Sequence, residues 1–411
     1  MSTIVVKFGE KRDQYRGPKL STRRGRMISG GIPKDRNFEG LSNNEIDTIA
    51  KTEVSIVEDL SAKEIAELNA SDEHVVANEI PLKLIKSNSN TSATTDIASQ
   101  TVGSVSWGVK AIGADTSTYD GRGIRVAVLD TGIDEYHPAF TDPNLNITKK
   151  NFTQYSPDDT DGHGTHCAGT IFGRDVNGTR IGVAKGITEA FIAKVIPAGS
   201  SALINALNWA YKNKCHVASM SLGFDFPKLV FELSNEGMAF KAAVSLGLTE
   251  YRNNIAALDA LMDLYRAREL QAHEHGMVVV AASGNESNRP DFTIDSAPPS
   301  AALGVLSVGA IWQSSDNYGI ANFSNSKPDL VAPGVNVLSA RAQVGDLAPL
   351  DGTSMACPHV AGAAALYFQR ALQGLGAFPN AGGVAAEIKV LTKKIGLAQS
   401  DGGSGLVQVP Q

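Results

Sequence analysis

The sequence predicts an α/β fold: a mostly parallel sheet with helices on both faces, preceded by a small α+β segment. Three observations carry this. Short, wholly apolar runs recur from Trp107 onward, helical stretches alternate with them, and a separate β-α-β pattern comes before. Runs that are apolar throughout suit strands buried on both faces of a sheet. Alternation of strand and helix supplies the crossovers that parallel pairing requires. The 411 residues have room for two or three domains at roughly 100–200 residues each. With 42% hydrophobic and 19% charged residues, a mainly disordered chain is excluded.

In chain order, residues 1–50 read as a basic, weakly patterned arm, punctuated by Gly17-Pro18, Gly30-Gly31 and Ile32-Pro33. Residues 51–86 read as a β-α-β unit. Glu53–Glu58 alternates as a strand does. Ser61 followed by Glu64 makes a capping box for the helix Ser61–Asn69, and His74–Ile80 is a second strand. Residues 87–104 are small and polar, a linker by composition. Residues 105–411 form the α/β part. Its strands are Arg125–Leu129, Ala190–Val195, Val217–Leu222, Met277–Ala282 and Val305–Val308. Its helices are Gly164–Phe172, Ser201–Lys212, Glu250–Glu274 and Ser354–Gln373. Ligands of such sheets bind outside the carboxyl ends of the strands, so polar residues just after strands are where chemistry is sought.

The formal charge of −6 argues against a general polyanion binder, and nucleic acid is not an expected partner. The charge is uneven: residues 1–36 carry ten Lys/Arg against three Asp/Glu, a net of +7, leaving −13 for the remainder. Met1–Glu10 lacks a signal-peptide core, and there is no apolar run of membrane-spanning length, so a cytoplasmic protein is the default expectation, with export by a non-standard route left open. Three cysteines, Cys167, Cys215 and Cys357, cannot form a closed disulfide framework.

Four positions stand out. Asp130 ends the run VAVLD and opens Asp130-Thr131-Gly132-Ile133-Asp134. By itself it could be a ribose ligand, a metal ligand or a cap. An aspartic-protease reading fails because a second such triplet is missing. His163 sits among small residues in Asp161–Gly169, where His166 and Cys167 raise a zinc alternative, although the H-E-x-x-H spacing is missing. Ser354 enters the apolar helix Met355–Leu372 and is either an N-cap or a nucleophile whose backbone N–H faces a developing oxyanion. Asn285 follows the run MVVVAAS and is either a turn residue or an amide donor beside a cleft.

Together, DTGID, HGTHCAG and GTSMACPHVAG, in that order and with AASGNE and Met220-Ser221-Leu222-Gly223 between them, resemble the subtilisin-like (subtilase) serine proteases over residues 105–390. The resemblance implies a serine endopeptidase acting on peptide or protein substrates through an acyl-enzyme. Ser354 would be the nucleophile, His163 the base and then acid, and Asp130 the group orienting the imidazole. Asn285 and the Ser354 N–H would form the oxyanion hole. Ser221, Leu222, Gly223 and Ala282, Ser283, Gly284 would be opposite walls of the pocket for the residue before the cut. It also implies that the β-α-β unit is an inhibitory prosegment, a partner of its own protease, with Glu79–Lys86 as the strand in the cleft and self-cleavage between Pro81 and Val105. A catalytically idle scaffold that binds peptides is the alternative, and an intracellular maturation protease is a narrower form of the first reading.

The chain also departs from the family. Phe172–Gly182 is short, and Ala139 follows His137-Pro138 where relatives carry an Asp ligand. The main calcium site is therefore expected to be absent, no cofactor or metal is required, and Asp175 and Asn177 are left as weak cation ligands. Pro197–Ser201 is short, which predicts reduced backbone capture of a substrate. An insertion over 224–250 is expected to restrict access as a lid. Asp291 and Asp295 are candidates for favouring basic residues at the cut, and Cys167, one turn from His163, for coupling thiol chemistry to the imidazole.

Overall fold

In the computed structural model the described residues are 2–9, 41–71, 73–85, 104–272, 275–315, 317–375 and 380–411. Most of the basic arm and nearly all of the linker over 87–104 lie outside them. The N-terminal elements are β1 (Ser2–Lys7), α1 (Asn43–Ala50), β2 (Glu53–Glu58), α2 (Ala62–Ala70) and β3 (His74–Asn78). Then come β4 (Leu82–Leu84), α3 (Trp107–Ala111), β5 (Arg125–Asp130), β6 (Asn146–Asn151), α4 (His163–Phe172), β7 (Glu189–Lys194) and α5 (Ser200–Lys212). They are followed by β8 (Val217–Met220), β9 (Leu222–Phe224), α6 (Phe226–Asn235), α7 (Phe240–Ala272), β10 (Val278–Ala282), β11 (Val305–Ser314) and β12 (Asn317–Ile320). The last are β13 (Leu330–Pro333), β14 (Val337–Arg341), β15 (Asp346–Leu350), α8 (Thr353–Leu375), α9 (Ala381–Val390) and α10 (Gln399–Gly402).

Two compact units result. The first joins residues 1–80 to 226–274 and 302–304. Its antiparallel sheet has the order β2-β1-β3. The expected arm thus begins with the central strand, and four consecutive residues of β1, Thr3–Val6, are buried. α1 and α2 each start with a complete capping box, Ser42 with Glu45 and Ser61 with Glu64. α7 packs against α1 and β3. Buried Glu250 on α7 accepts from the backbone N–H of Asn78 at 2.7 Å and from its amide at 2.8 Å, so the end of β3 finds its partners on that helix. The insertion over 224–250, expected to restrict access, is largely helical. The insertion folds as α6 and the first part of α7, and residues 226–274 group with the N-terminal sheet.

The second unit is built on an eight-stranded sheet, β12-β11-β10-β8-β5-β7-β6 with β13 beside β11. Every pairing is parallel except the edge pair β11–β12. β8 and β10 are buried at every residue, the mark of a sheet covered on both faces. α8 packs on β8, β10, β11 and β13, and α4 on α8 and β5. β5, β8 and β10 lie side by side, so Asp130, Ser221 and Ser283–Asn285 emerge together at one end. No helix among the described residues is long and apolar enough to cross a membrane.

Candidate active site

The first half of the site is a buried carboxylate–imidazole pair. Asp130 Oδ1 lies 2.8 Å from His163 Nδ1 and also accepts from the Thr131 N–H at 2.8 Å. His163 is the first residue of α4, after Gly162 with φ +91°, a left-handed conformation that suits glycine. Gly164 allows the close approach of α4 to the loop after β5: a Cβ there would fall 2.3 Å from the Gly132 carbonyl oxygen. Asp159 knots the two segments. It accepts from the hydroxyls of Thr131 and Thr165 and from the N–H groups of Gly162 and Thr165. Burial opposes its charged form, but these donors prevail and hold the carboxyl below the ordinary range. Burial likewise opposes a charged His163, but the Asp130 carboxylate outweighs it and raises the imidazole pKa well above 6.5.

The second half centres on Ser354, in the first turn of α8. Its Oγ lies 3.0 Å from the Ile85 carbonyl oxygen and 3.2 Å from that of Ser221. His163 Nε2, buried, has no hydrogen-bond partner among the described residues, so the Ser–His hydrogen bond is not made in this arrangement. Asn285 is fixed from both ends. Its Oδ1 accepts from Thr353 N at 2.9 Å and Oγ1 at 2.8 Å, and its Nδ2 donates to the Ile85 carbonyl at 3.1 Å. Gly352 leads into this turn at φ +153°, and a Cβ on it would meet the Asn285 amide nitrogen at 3.0 Å. The Ser354 carbonyl accepts from Ser221 Oγ at 2.9 Å and Cys167 Sγ at 3.4 Å, which anchors the turn to the residue between β8 and β9 and to α4.

Residues 81–85 run through the site as a strand. Leu82, Lys83 and Leu84 pair antiparallel with Phe224, Gly223 and Leu222, and Leu82 N donates to the Ala198 carbonyl at 2.9 Å. The short Pro197–Ser201 segment therefore does pair with an extended chain, unlike the reduced capture expected of it. Ile85 is buried, with side-chain carbons 3.6 Å from where a Gly223 Cβ would stand. Ser221, Leu222 and Gly223 thus line this strand. Ala282, Ser283 and Gly284 follow directly on β10, and Gly284 N donates to Thr353 Oγ1 at 3.2 Å. A cleft of about 380 Å³ opens beside the imidazole, lined by Ile85, Asp161, His163, Ala348, Leu350 and Met355 among others.

Other candidates fall elsewhere. His166 points away, its Nε2 3.0 Å from the Val337 and Ala348 carbonyls, and burial lowers its pKa to about 3. Among the described residues, Asp130, His163 and Cys167 offer ligand atoms within 4.8 Å of one another. All three cysteines are free and buried; burial raises the pKa of the Cys167 thiol, and it pushes that of Cys357 up to about 12. Asp291 and Asp295 are exposed, with Asp295 paired to Lys327 at 2.7 Å. Asp175 pairs with Lys185 at 3.1 Å. Where a calcium site was expected to be missing, the Arg174 guanidinium donates to Asp142 at 2.8 Å and to the Phe172 and Ile187 carbonyls at 3.0 and 2.7 Å. Sequence reasoning missed Asp159, Thr353 and Arg174. The only signal for Asp159 was its place just before the HGTH motif, among other acidic residues.

A family model described as the subtilase family matches residues 121–392. Among curated proteins, the major intracellular serine protease of Bacillus subtilis (strain 168) is 34% identical over 259 residues, 60% of this chain and 68% of that protein. Subtilisin Savinase of Lederbergia lenta is 35% identical over 277 residues, 65% of this chain and 85% of the relative. The cuticle-degrading serine protease of Arthrobotrys oligospora is 34% identical over 263 residues, covering 61% and 53% of the two chains.

Proposed function

The chain belongs to the subtilase family and is a serine endopeptidase, and from that premise we propose that Asp130, His163 and Ser354 are its catalytic triad and that residues 81–85 occupy its cleft as a substrate does. One observation carries the reading: Ser354 Oγ and Asn285 Nδ2 converge on a single peptide carbonyl oxygen, that of Ile85, at 3.0 and 3.1 Å. That is the place a scissile carbonyl takes between nucleophile and oxyanion donor. For reaction the Ser354 hydroxyl turns to His163 Nε2, which is buried and has no partner to displace. The imidazole takes the proton as Oγ adds to the carbonyl carbon, and Asp130 at 2.8 Å stabilises the imidazolium. Charge gathers on the carbonyl oxygen, facing the Asn285 amide. The imidazolium then protonates the leaving amine, and water repeats the sequence to release the acyl group. The cleft beside His163 has room for the leaving half.

By this geometry the bond cut in self-processing is Ile85–Lys86, which makes residues 1–85 the prosegment. No cofactor is required for the chemistry. Arg174 supplies, as part of the chain, a positive centre among a carboxylate and two carbonyls, which supports calcium-independent cohesion of its loop. The test is N-terminal sequencing of the purified wild type and Ser354→Ala, with fluorophosphonate labelling. The expected result is a labelled wild type beginning at Lys86 and an unlabelled, uncut variant. A wild type that takes no label would favour the idle peptide-binding scaffold, and processing that persists in Ser354→Ala would overturn the assignment.

A further inference from the structure

We propose that Glu286 selects a basic side chain at the third residue before the cut, so that preferred substrates carry an apolar–basic–apolar pattern ahead of the residue in the pocket. The inference rests on the reading of Ile85 as the residue whose carbonyl is attacked, which makes Lys83 the third residue before the bond. In an extended strand residues two apart share a face, so Lys83 lies on the same side as Ile85 and next to the pocket rim. Its Nζ meets Glu286 Oε1 at 2.9 Å, while the neighbouring Leu82 is buried. Glu286 directly follows the Asn285 donor, so a residue of the catalytic loop itself reads the substrate.

A surface ion pair by itself would carry little preference. Two features set this one apart. The two side chains are only 28% and 30% exposed, so solvent screens the pair incompletely. The carboxylate is also braced in advance. Glu286 Oε2 accepts from Asn325 Nδ2 at 2.8 Å, and Asn325 is fully buried, its Oδ1 accepting from the N–H groups of Glu286 and Ser287 and from the Ser287 hydroxyl. A preorganised acceptor loses little freedom when the ammonium arrives. Asp291 and Asp295, the acids singled out from the sequence, do not fill this role, because both are exposed and Asp295 is matched by Lys327. The same carboxylate repels an acidic residue at that position, which sharpens discrimination beyond the attraction alone.

The experiment compares the purified enzyme, expressed as the full chain and allowed to process itself, on peptides Pro-Leu-Xaa-Leu-Ile-Lys-Ser with Xaa as Lys, norleucine or Glu. Rates are expressed per fluorophosphonate-labelled site, so that misfolded molecules drop out. For the wild type, Lys should exceed norleucine about two- to five-fold in kcat/KM and exceed Glu about tenfold. Raising salt to about 1 M, where the screening length is about 3 Å, should shrink both ratios. Glu286→Gln should bring the Lys-to-Glu ratio close to one, Glu286→Lys should invert it, and Glu286→Asp should restore part of it. Cleavage after Ile with a wild-type ratio within twofold, or a ratio untouched by Glu286→Gln, overturns the inference and leaves the catalytic reading standing. Cleavage at other bonds, or none, removes both.

Discussion

Asn285 performs two jobs with opposite ends of one amide, and two substitutions separate them. Asn285→Leu removes both the donor to the Ile85 carbonyl and the acceptor for Thr353. Asn285→Asp keeps the acceptor and turns a carboxylate toward the developing oxyanion. The donor stands 3.1 Å from the Ile85 carbonyl oxygen. Its loss should lower kcat about 10²–10³-fold, or ~2.7–4 kcal/mol, the cost found in subtilisin for a single oxyanion donor. The acceptor serves the N–H and hydroxyl of Thr353, a fully buried residue. Stranding such groups costs about 1–3 kcal/mol of stability. The two variants should therefore be similarly slow, while only the Leu variant melts early. Steady-state hydrolysis of a chromogenic peptide, active-site titration and thermal melts read the three quantities. A kcat within tenfold of wild type in both variants, with full titration of sites, would refute the oxyanion role of Asn285.

Two further predictions follow from charges near the site. Activity needs neutral His163, whose pKa is raised by Asp130, so the acid limb of the kcat/KM profile should lie above pH 6.5 and the rate should rise with pH through it. Asp130→Asn should move that limb downward and slow turnover about 10⁴-fold. A limb unmoved in the variant would detach it from the pair. Arg174→Ala leaves Asp142 and two carbonyls without their donor, and a melt should show a loss of about 1–3 kcal/mol. A chelator should leave the wild-type melting temperature in place, and a large drop on chelation would show that a bound metal, not Arg174, holds the loop.

Five of the parallel strands stood out because each is a largely apolar run, as burial on both faces of a sheet requires; β6, with the sequence NITKKN at the sheet's edge, carries no such run. The proposed catalytic positions stood out because their neighbours are small residues in fixed motifs, such as Gly164 against the Gly132 carbonyl. β1 did not. Thr3–Val6 is short and lies beside a basic, Gly/Pro-punctuated stretch, and its partners, Glu53–Glu58 and His74–Asn78, come dozens of residues later. The packing of the insertion was not legible for a related reason. Phe240–Glu250 continues the helix predicted from Glu250 onward, but nothing local indicates that this helix will cover a sheet from the chain's other end. Asp159 and Arg174 act through contacts with turns and carbonyls, which leave no periodic trace in a sequence.

The hydrogen bonds from Asn78 to Glu250 span 172 positions of the chain. On a ribosome adding roughly 5–20 residues per second, the acceptor trails the donor by on the order of ten to thirty seconds. The N-terminal sheet therefore waits for its covering helix. Yet every residue of that unit, through Gly304, is translated before Ser354. Residues 81–85 are translated earlier still. If residues 81–85 block the cleft as proposed, vectorial synthesis makes that strand before Ser354, so no nascent chain would carry the serine without it.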